Sequence, residues 1–241
     1  MARFSPGDVE GYDRFVAMSE RIFRVGFERL AHVPFGSWVD MARIVSQMVK
    51  LKSYKSVYAM VSSYVRDEHI RQVLSFHRLL VGGNPFATTS IYTLIAFLER
   101  KWGVHFPMGG TGALVRGLAG LIESLGGALR YCAEVQRILD EGGRAVGVRL
   151  TTGETIDADI VVSNADSAWT YRHLIAPEHR RKWTDARTER SRYSMGLFVW
   201  YFGTSRTCDD VAHHTILLGP RYRGLIADIF DRKVVADDFS L

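Results

Sequence analysis

The chain has 241 residues, 47% hydrophobic and 24% charged, a balance that excludes intrinsic disorder and allows one large core or two modest ones. Arg far outnumbers Lys in a formal charge of +5, which permits an anionic partner without requiring one. Cys132 and Cys208 are the only cysteines and stand far apart outside any C-x-x-C, which excludes a disulfide framework and a cysteine zinc site.

The opening "MARFSPGDVEGYDRF" reads as a capped helix start where a secretory signal would need an apolar core. Ser5, Pro6 and Asp8 form the start, and Val9, Tyr12, Phe15, Val16, Ser19, Ile22 and Phe23 then keep a helical period, predicting a helix to about Ala31. Pro34 and Gly36 end it, Ser37 caps the next, and "SVYAMVSSYV" and "DEHIRQVLSFHRLL" continue the helical pattern. From Leu79 to Leu98 no residue is charged, which is the length of a membrane-spanning helix. Gly82, Gly83, Asn84 and Pro85 interrupt that run, so one helix is predicted to end near Val81 and another to begin near Thr89. The second, Ile91 to Trp102, is apolar on nearly every side and reads as a core helix, a wall of a long apolar cavity or a membrane-dipping surface.

Past Gly110 a helical stripe of Leu114, Val115, Leu118, Leu121, Ile122 and Leu125 leads to Gly126-Gly127 and the extended run "ALRYCAEVQRIL". "EGGR" turns the chain, Val146, Val148 and Leu150 alternate, "TTGE" turns it again, and "TIDADIVVSNA" is predicted to close a β-meander on Ile160 to Val162. The glycines of "FPMGGTGALVRG" are not a dinucleotide fingerprint, because Val115 stands where the third glycine belongs and "WGVHFP" is a poor core strand. No Gly-Lys-Ser/Thr follows, so a Walker loop is excluded too. Adjacent His213 and His214 lack metal-ligand spacing, and Glu68-His69 has no nucleophile or G-x-S-x-G to make a hydrolase. The basic run from Arg172 to Arg192 reads as a solvated helix face, with Trp169 and Trp183 making acidic lipid an alternative, and no nucleic-acid motif accompanies it.

"LLVGGNPFATTSIYTLIAFLERKWGVHFPMGGTGALVRGL", with "DVEGYDRF" before it and "VVSNAD", "TYRHL" and "GPRYRGLI" after it, resembles the bacterial-type phytoene desaturases, FAD-dependent oxidoreductases acting on CH–CH groups. The resemblance runs along essentially all of the chain, and the related diapophytoene desaturases share the architecture. It implies part of a two-dinucleotide-binding-domain, amine oxidase-like flavoprotein fold of mixed α+β or α/β class. Residues 1–108 would be a helical substrate and membrane-associated region, 109–170 a partial FAD-binding domain, and 171–241 the second part of the substrate region. The N-terminal GxGxxG segment and the glycine-rich C-terminal segment of such enzymes have no counterpart here. The sequence is therefore read as an internal fragment of a desaturase that takes phytoene toward lycopene, expected to be inactive alone, with two alternatives: a non-catalytic hydrophobic-ligand or membrane-binding remnant, or a desaturase of a related carotenoid such as diapophytoene.

The resemblance also names residues. Asp40 and Arg43 in "SWVDMARIV" correspond to a family position proposed to present an acid–base pair to the polyene. The same residues fit a capping box with Ser37 and an ordinary ion pair one turn apart. Phe76, Leu80, Phe86, Tyr92, Ile95 and Trp102 are expected to line an apolar substrate tunnel, and each also fits ordinary core. FAD contacts are expected at Glu134 and Val135 and at Ser163, Asn164 and Ala165. The implied partners are an apolar carotenoid and a membrane surface, with no nucleic acid and no metal, at the inner face of the cell membrane on the cytoplasmic side.

Overall fold

The computed structural model describes residues 1–34 and 36–238. Positions 239–241, the end of the predicted 171–241 region, lie outside it. The chain divides into two compact units: Met1–Val104 together with the segment from Ser194, and His105–Tyr193. The predicted segment 109–170 lies wholly inside the second unit, which extends to Tyr193 because residues 170–179 pack on the first strand of its sheet.

The first unit is helical. A 3-10 turn at Pro6–Asp8 feeds α1 (Val9–Phe23), which continues as a π-helical turn over Arg24–Arg29, so the predicted helix to Ala31 is nearly continuous. Ser37 caps α2 (Trp38–Lys50), followed by α3 (Val57–Ser62), α4 (Glu68–Ser75) and α5 (His77–Leu80). The break predicted at Gly82–Pro85 is present, and the chain resumes as a 3-10 turn at Ser90–Thr93 and α6 (Leu94–Trp102). One core forms where α1 lies along α6, from Phe15, Ile22, Met60, Val61, Val65 and Ala96. Gly11 lets α1 approach closely, since a Cβ there would stand 2.0 Å from the Tyr64 carbonyl oxygen.

The block "NPFATTS" is stitched to residues 52–58. Tyr58 N–H donates to Pro85 O at 3.0 Å, Val57 N–H to Thr88 O at 2.9 Å and Ser90 N–H to Lys55 O at 2.8 Å. Asn84 Oδ1 accepts from Phe86 N–H at 2.8 Å, closing an Asx turn that aims Phe86 at Tyr58. A second small core joins Tyr58 and Phe86 to Tyr222 and Ile226 of the later helix Tyr222–Ala227.

The second unit holds α7 (Gly110–Ser124) and an antiparallel meander, β1 (Val135–Glu141), β2 (Arg144–Leu150) and β3 (Thr155–Asp157), in that order across the sheet. Val135 pairs with Leu150 and Gly147 with Asp157. The turns are those predicted, with Gly142, Gly143 and Gly153 at positive φ. The run Ile160 to Val162 does not extend the sheet as predicted; Ile160 and Val162 stand exposed because no strand among the described residues pairs with them. After it come α8 (Ser167–Trp169), a π-helical turn at Thr170–Leu174 and α9 (Asp185–Glu189). The basic run is thus several short pieces rather than one helix face, and Arg180 is buried beside Asp185 at 2.5 Å.

Candidate functional site

Asp40 and Arg43 meet on the first turn of α2. Asp40 Oδ2 accepts from Ser37 Oγ at 2.7 Å and from Ser37 N–H at 3.2 Å, while Ser37 Oγ accepts from Asp40 N–H at 3.3 Å, a reciprocal capping box. The other oxygen, Oδ1, lies 3.5 Å from Arg43 Nη1. The carboxylate side chain is 31% exposed and the guanidinium 74%, so the pair is open to solvent or a ligand and not locked into a core. Chemically it is an oriented carboxylate with free lone pairs beside a cation, which is competent to accept a proton.

The tunnel candidates fall into separate packing groups. Phe86 lies 4.5 Å from the Tyr58 ring and 5.6 Å from that of Tyr222, with the Arg223 guanidinium 4.3 Å above it. Trp102 packs on Phe23 and Phe97, and Lys101 lies over its ring. Tyr92 is covered by the Arg78 guanidinium at 3.8 Å, Phe76 stacks on His77, Ile95 is half-buried and Leu80 is exposed. Neither of two cavities described, 420 Å³ lined by Arg221, Asp228 and residues to Asp238, and 480 Å³ at the end of the meander, includes any of them.

The expected FAD edge lies in the second unit. The Glu134 carbonyl accepts from Thr151 N–H at 3.0 Å and Val135 pairs with Leu150, so this backbone is committed to the sheet, while the Glu134 side chain is free in solvent. Ser163 Oγ shares a hydrogen with Thr170 Oγ1 at 2.8 Å, and Asn164 and Ala165 are exposed. At the start of α7, Gly109 and Gly110 both take positive φ, leaving backbone N–H groups uncovered by side chains. These segments offer an open edge; among the described residues they do not enclose a dinucleotide.

Sequence reasoning missed a polar network inside the first unit. The Tyr58 hydroxyl donates to Glu68, whose other oxygen lies 3.3 Å from Arg71, and Ser75 Oγ meets the Tyr222 hydroxyl at 3.0 Å. Burial pushes the Tyr222 phenol up to about 12, and burial followed by the Glu68 carboxylate also raises Tyr58. His77 Nε2 pairs with Glu99 at 3.0 Å. Apart from Glu68 and Arg71, one helical turn apart, the partners are separated by ten residues or more, so no local spacing announces them.

The sequence matches the flavin containing amine oxidoreductase family over residues 4–232. It is 50% identical to a lycopene-forming phytoene desaturase of Pseudescherichia vulneris over 100% of this chain and 49% of that protein. It is 48% identical to the lycopene-forming enzyme of Pantoea ananas, over 99% of this chain and 49% of the relative. It is 45% identical to a neurosporene-forming phytoene desaturase of Cereibacter sphaeroides, over 100% and 47%. The chain thus spans about half the length of the curated relatives it matches. With mixed helices and a small antiparallel sheet, and with a family match that covers nearly all its residues, the chain belongs to the flavin-containing amine oxidoreductase family, whose cofactor is FAD.

Proposed function

We propose that these residues carry the substrate-side part of a FAD-dependent carotenoid desaturase that takes phytoene toward lycopene. The observation that supports this reading is 45–50% identity to phytoene desaturases sustained along the whole chain. The relatives include lycopene- and neurosporene-forming enzymes, so the reading extends to the substrate and not to the number of double bonds introduced. Residues 1–108 and 171–241 would form the substrate region and 109–170 part of the FAD domain.

Phytoene is a hydrocarbon with no polar handle, so recognition rests on apolar area, at roughly 25 cal/mol for each Å² buried. Phe76, Leu80, Phe86, Tyr92, Ile95 and Trp102 supply such area in the first unit. Accepting a hydride from one allylic carbon is the chemistry that FAD supplies when bound. Asp40 takes the proton from the neighbouring carbon, the C–H electron pair left behind closes the new double bond, and Arg43 orients the carboxylate. Glu134, Val135 and Ser163 to Ala165 contribute one edge of the FAD site.

The substrate dissolves in membranes, which favours work at a membrane surface, at its cytoplasmic face. No helix among the described residues is long and apolar enough to cross a membrane. The test is a full-length protein bearing these residues, supplied with FAD and with phytoene in liposomes. It is expected to accumulate conjugated polyenes that absorb visible light; a preparation with bound FAD that leaves phytoene unchanged overturns the reading.

A further inference from the structure

α2 is a 13-residue amphipathic helix that contributes no buried residue. In α1, by contrast, Phe15, Ser19, Ile22 and Phe23 are all buried. The α2 stripe at helical spacing, Trp38, Met41, Val45 and Val49, faces solvent, with Trp38 89%, Val45 52% and Val49 58% exposed. Ile44 and Met48, on the adjoining face, are half-buried, while the stripe itself is turned outward. Exposed apolar area of this kind marks a contact surface.

Charge and aromatic placement identify what it contacts. Residues 38–55 hold four basic side chains, Arg43, Lys50, Lys52 and Lys55, against Asp40 alone, and the Asp40 oxygens are turned to Ser37 and Arg43. Lys55 is bonded to Ser63, Lys52 lies over Tyr64 and Arg43 is paired with Asp40, which leaves Lys50, on the polar face at the C-terminal end of the helix, as the exposed cation of this set. Trp38 opens the helix and Tyr54, 72% exposed, follows it. A basic residue on the polar face, an apolar stripe and aromatic ends are the features of a helix lying in an anionic headgroup layer. α7 also bares leucines, but it carries one Arg and one Glu and no aromatic ring, so it lacks the charge that anionic lipid would recognise.

We propose that α2 is the element that seats this protein on an anionic bilayer, its Trp38–Val45–Val49 stripe among the acyl chains and Lys50 at the phosphates. This rests on the membrane-surface reading above and adds the helix and the headgroup charge. The test is flotation of the 241-residue chain with phosphatidylcholine vesicles, with and without phosphatidylglycerol. The chain is expected to float with the anionic vesicles, and Val45→Asp/Val49→Asp to reduce partitioning about tenfold or more. Lys50→Gln is expected to reduce it roughly fivefold at low salt, a difference that high salt removes. Leu118→Asp in α7 should float as the unmodified chain does, and the blue shift of tryptophan emission on adding vesicles should vanish in Trp38→Phe.

Because Val45 and Val49 are more than half exposed, circular dichroism should be unchanged, and Val45→Ser/Val49→Ser provides a second variant without added charge. A chain that floats equally well with either double substitution overturns the assignment of α2 and leaves the membrane reading standing. A chain that never floats overturns the membrane reading and α2 with it. Loss of self-association in the double variant, with no vesicle binding by the unmodified chain, makes the stripe a protein interface and also overturns the proposal.

Discussion

The Asp40 carboxylate accepts from Ser37 through one oxygen and faces Arg43 through the other, so helix capping and the proposed proton acceptance would draw on the same atoms. Asp40→Asn separates them, because an amide oxygen still caps while its basicity is gone. In a full-length desaturase carrying these residues, flavin content should hold while turnover falls by about 100-fold or more. Full flavin with near-normal turnover would leave Asp40 as a cap only. Gly11 makes a different point about single residues. Helix propensity alone says that Gly11→Ala should stabilise α1 by up to about 1 kcal/mol. The 2.0 Å approach of a new Cβ to the Tyr64 carbonyl reverses the sign, since that neighbour is backbone and cannot swing aside. The expected result is a loss of about 1–3 kcal/mol in chemical denaturation. Unchanged or increased stability would mean that α1 does not sit this close to Tyr64.

Among the elements, Asp8 shows where local reading stops. As a sequence it is one member of a helix start, yet its two oxygens accept Arg66 N–H at 2.8 Å and Asp67 N–H at 2.9 Å, tying α1 to the start of α4. Those two backbone donors, Asp67 first, hold the carboxyl below its ordinary 3.8. A lowered value means that the stabilisation is complete above the ordinary value and is lost as pH falls through the lowered one. The stability gap between the unmodified chain and Asp8→Asn should therefore be constant near neutrality and shrink below about pH 4. A gap that stays flat down to about pH 2 would show that the ionised carboxylate is not what joins the two helices. What was legible follows the same division. The Ser37 cap, the break at Gly82–Pro85, α7 and both glycine turns follow from backbone rules acting over a few residues. The Tyr58–Glu68 and Ser75–Tyr222 contacts, and the failure of Ile160 to Val162 to become a strand, depend on which distant segment is present to pair, and local pattern does not carry that. The candidate site divides likewise: Asp40 and Arg43 were readable as neighbours one turn apart, while the dispersal of Phe86, Tyr92 and Trp102 into different packing groups was not.

At the scale of the molecule, the second unit turns its most apolar features outward. Leu114, Leu118 and Leu121 of α7 and Leu125 at its C-terminal cap are exposed, as are Ile160 and Val162 after the sheet, although each has the sequence pattern of an interior position. A flavin dinucleotide needs backbone N–H groups closing around its pyrophosphate and walls that exclude water from its rings. Here the α7 start has the glycine backbone but no facing loop among the described residues, and Ser163 to Ala165 lie in solvent. An open helix N-terminus in water holds phosphate weakly, because its half-charge is screened within the first turn. The 241-residue chain on its own should therefore elute from gel filtration without flavin absorbance after incubation with FAD, and should leave phytoene in liposomes unconverted. One flavin retained per chain would show that the second unit closes around the dinucleotide by a rearrangement of α7 and residues 159–165, and the argument from its open edge would then fail.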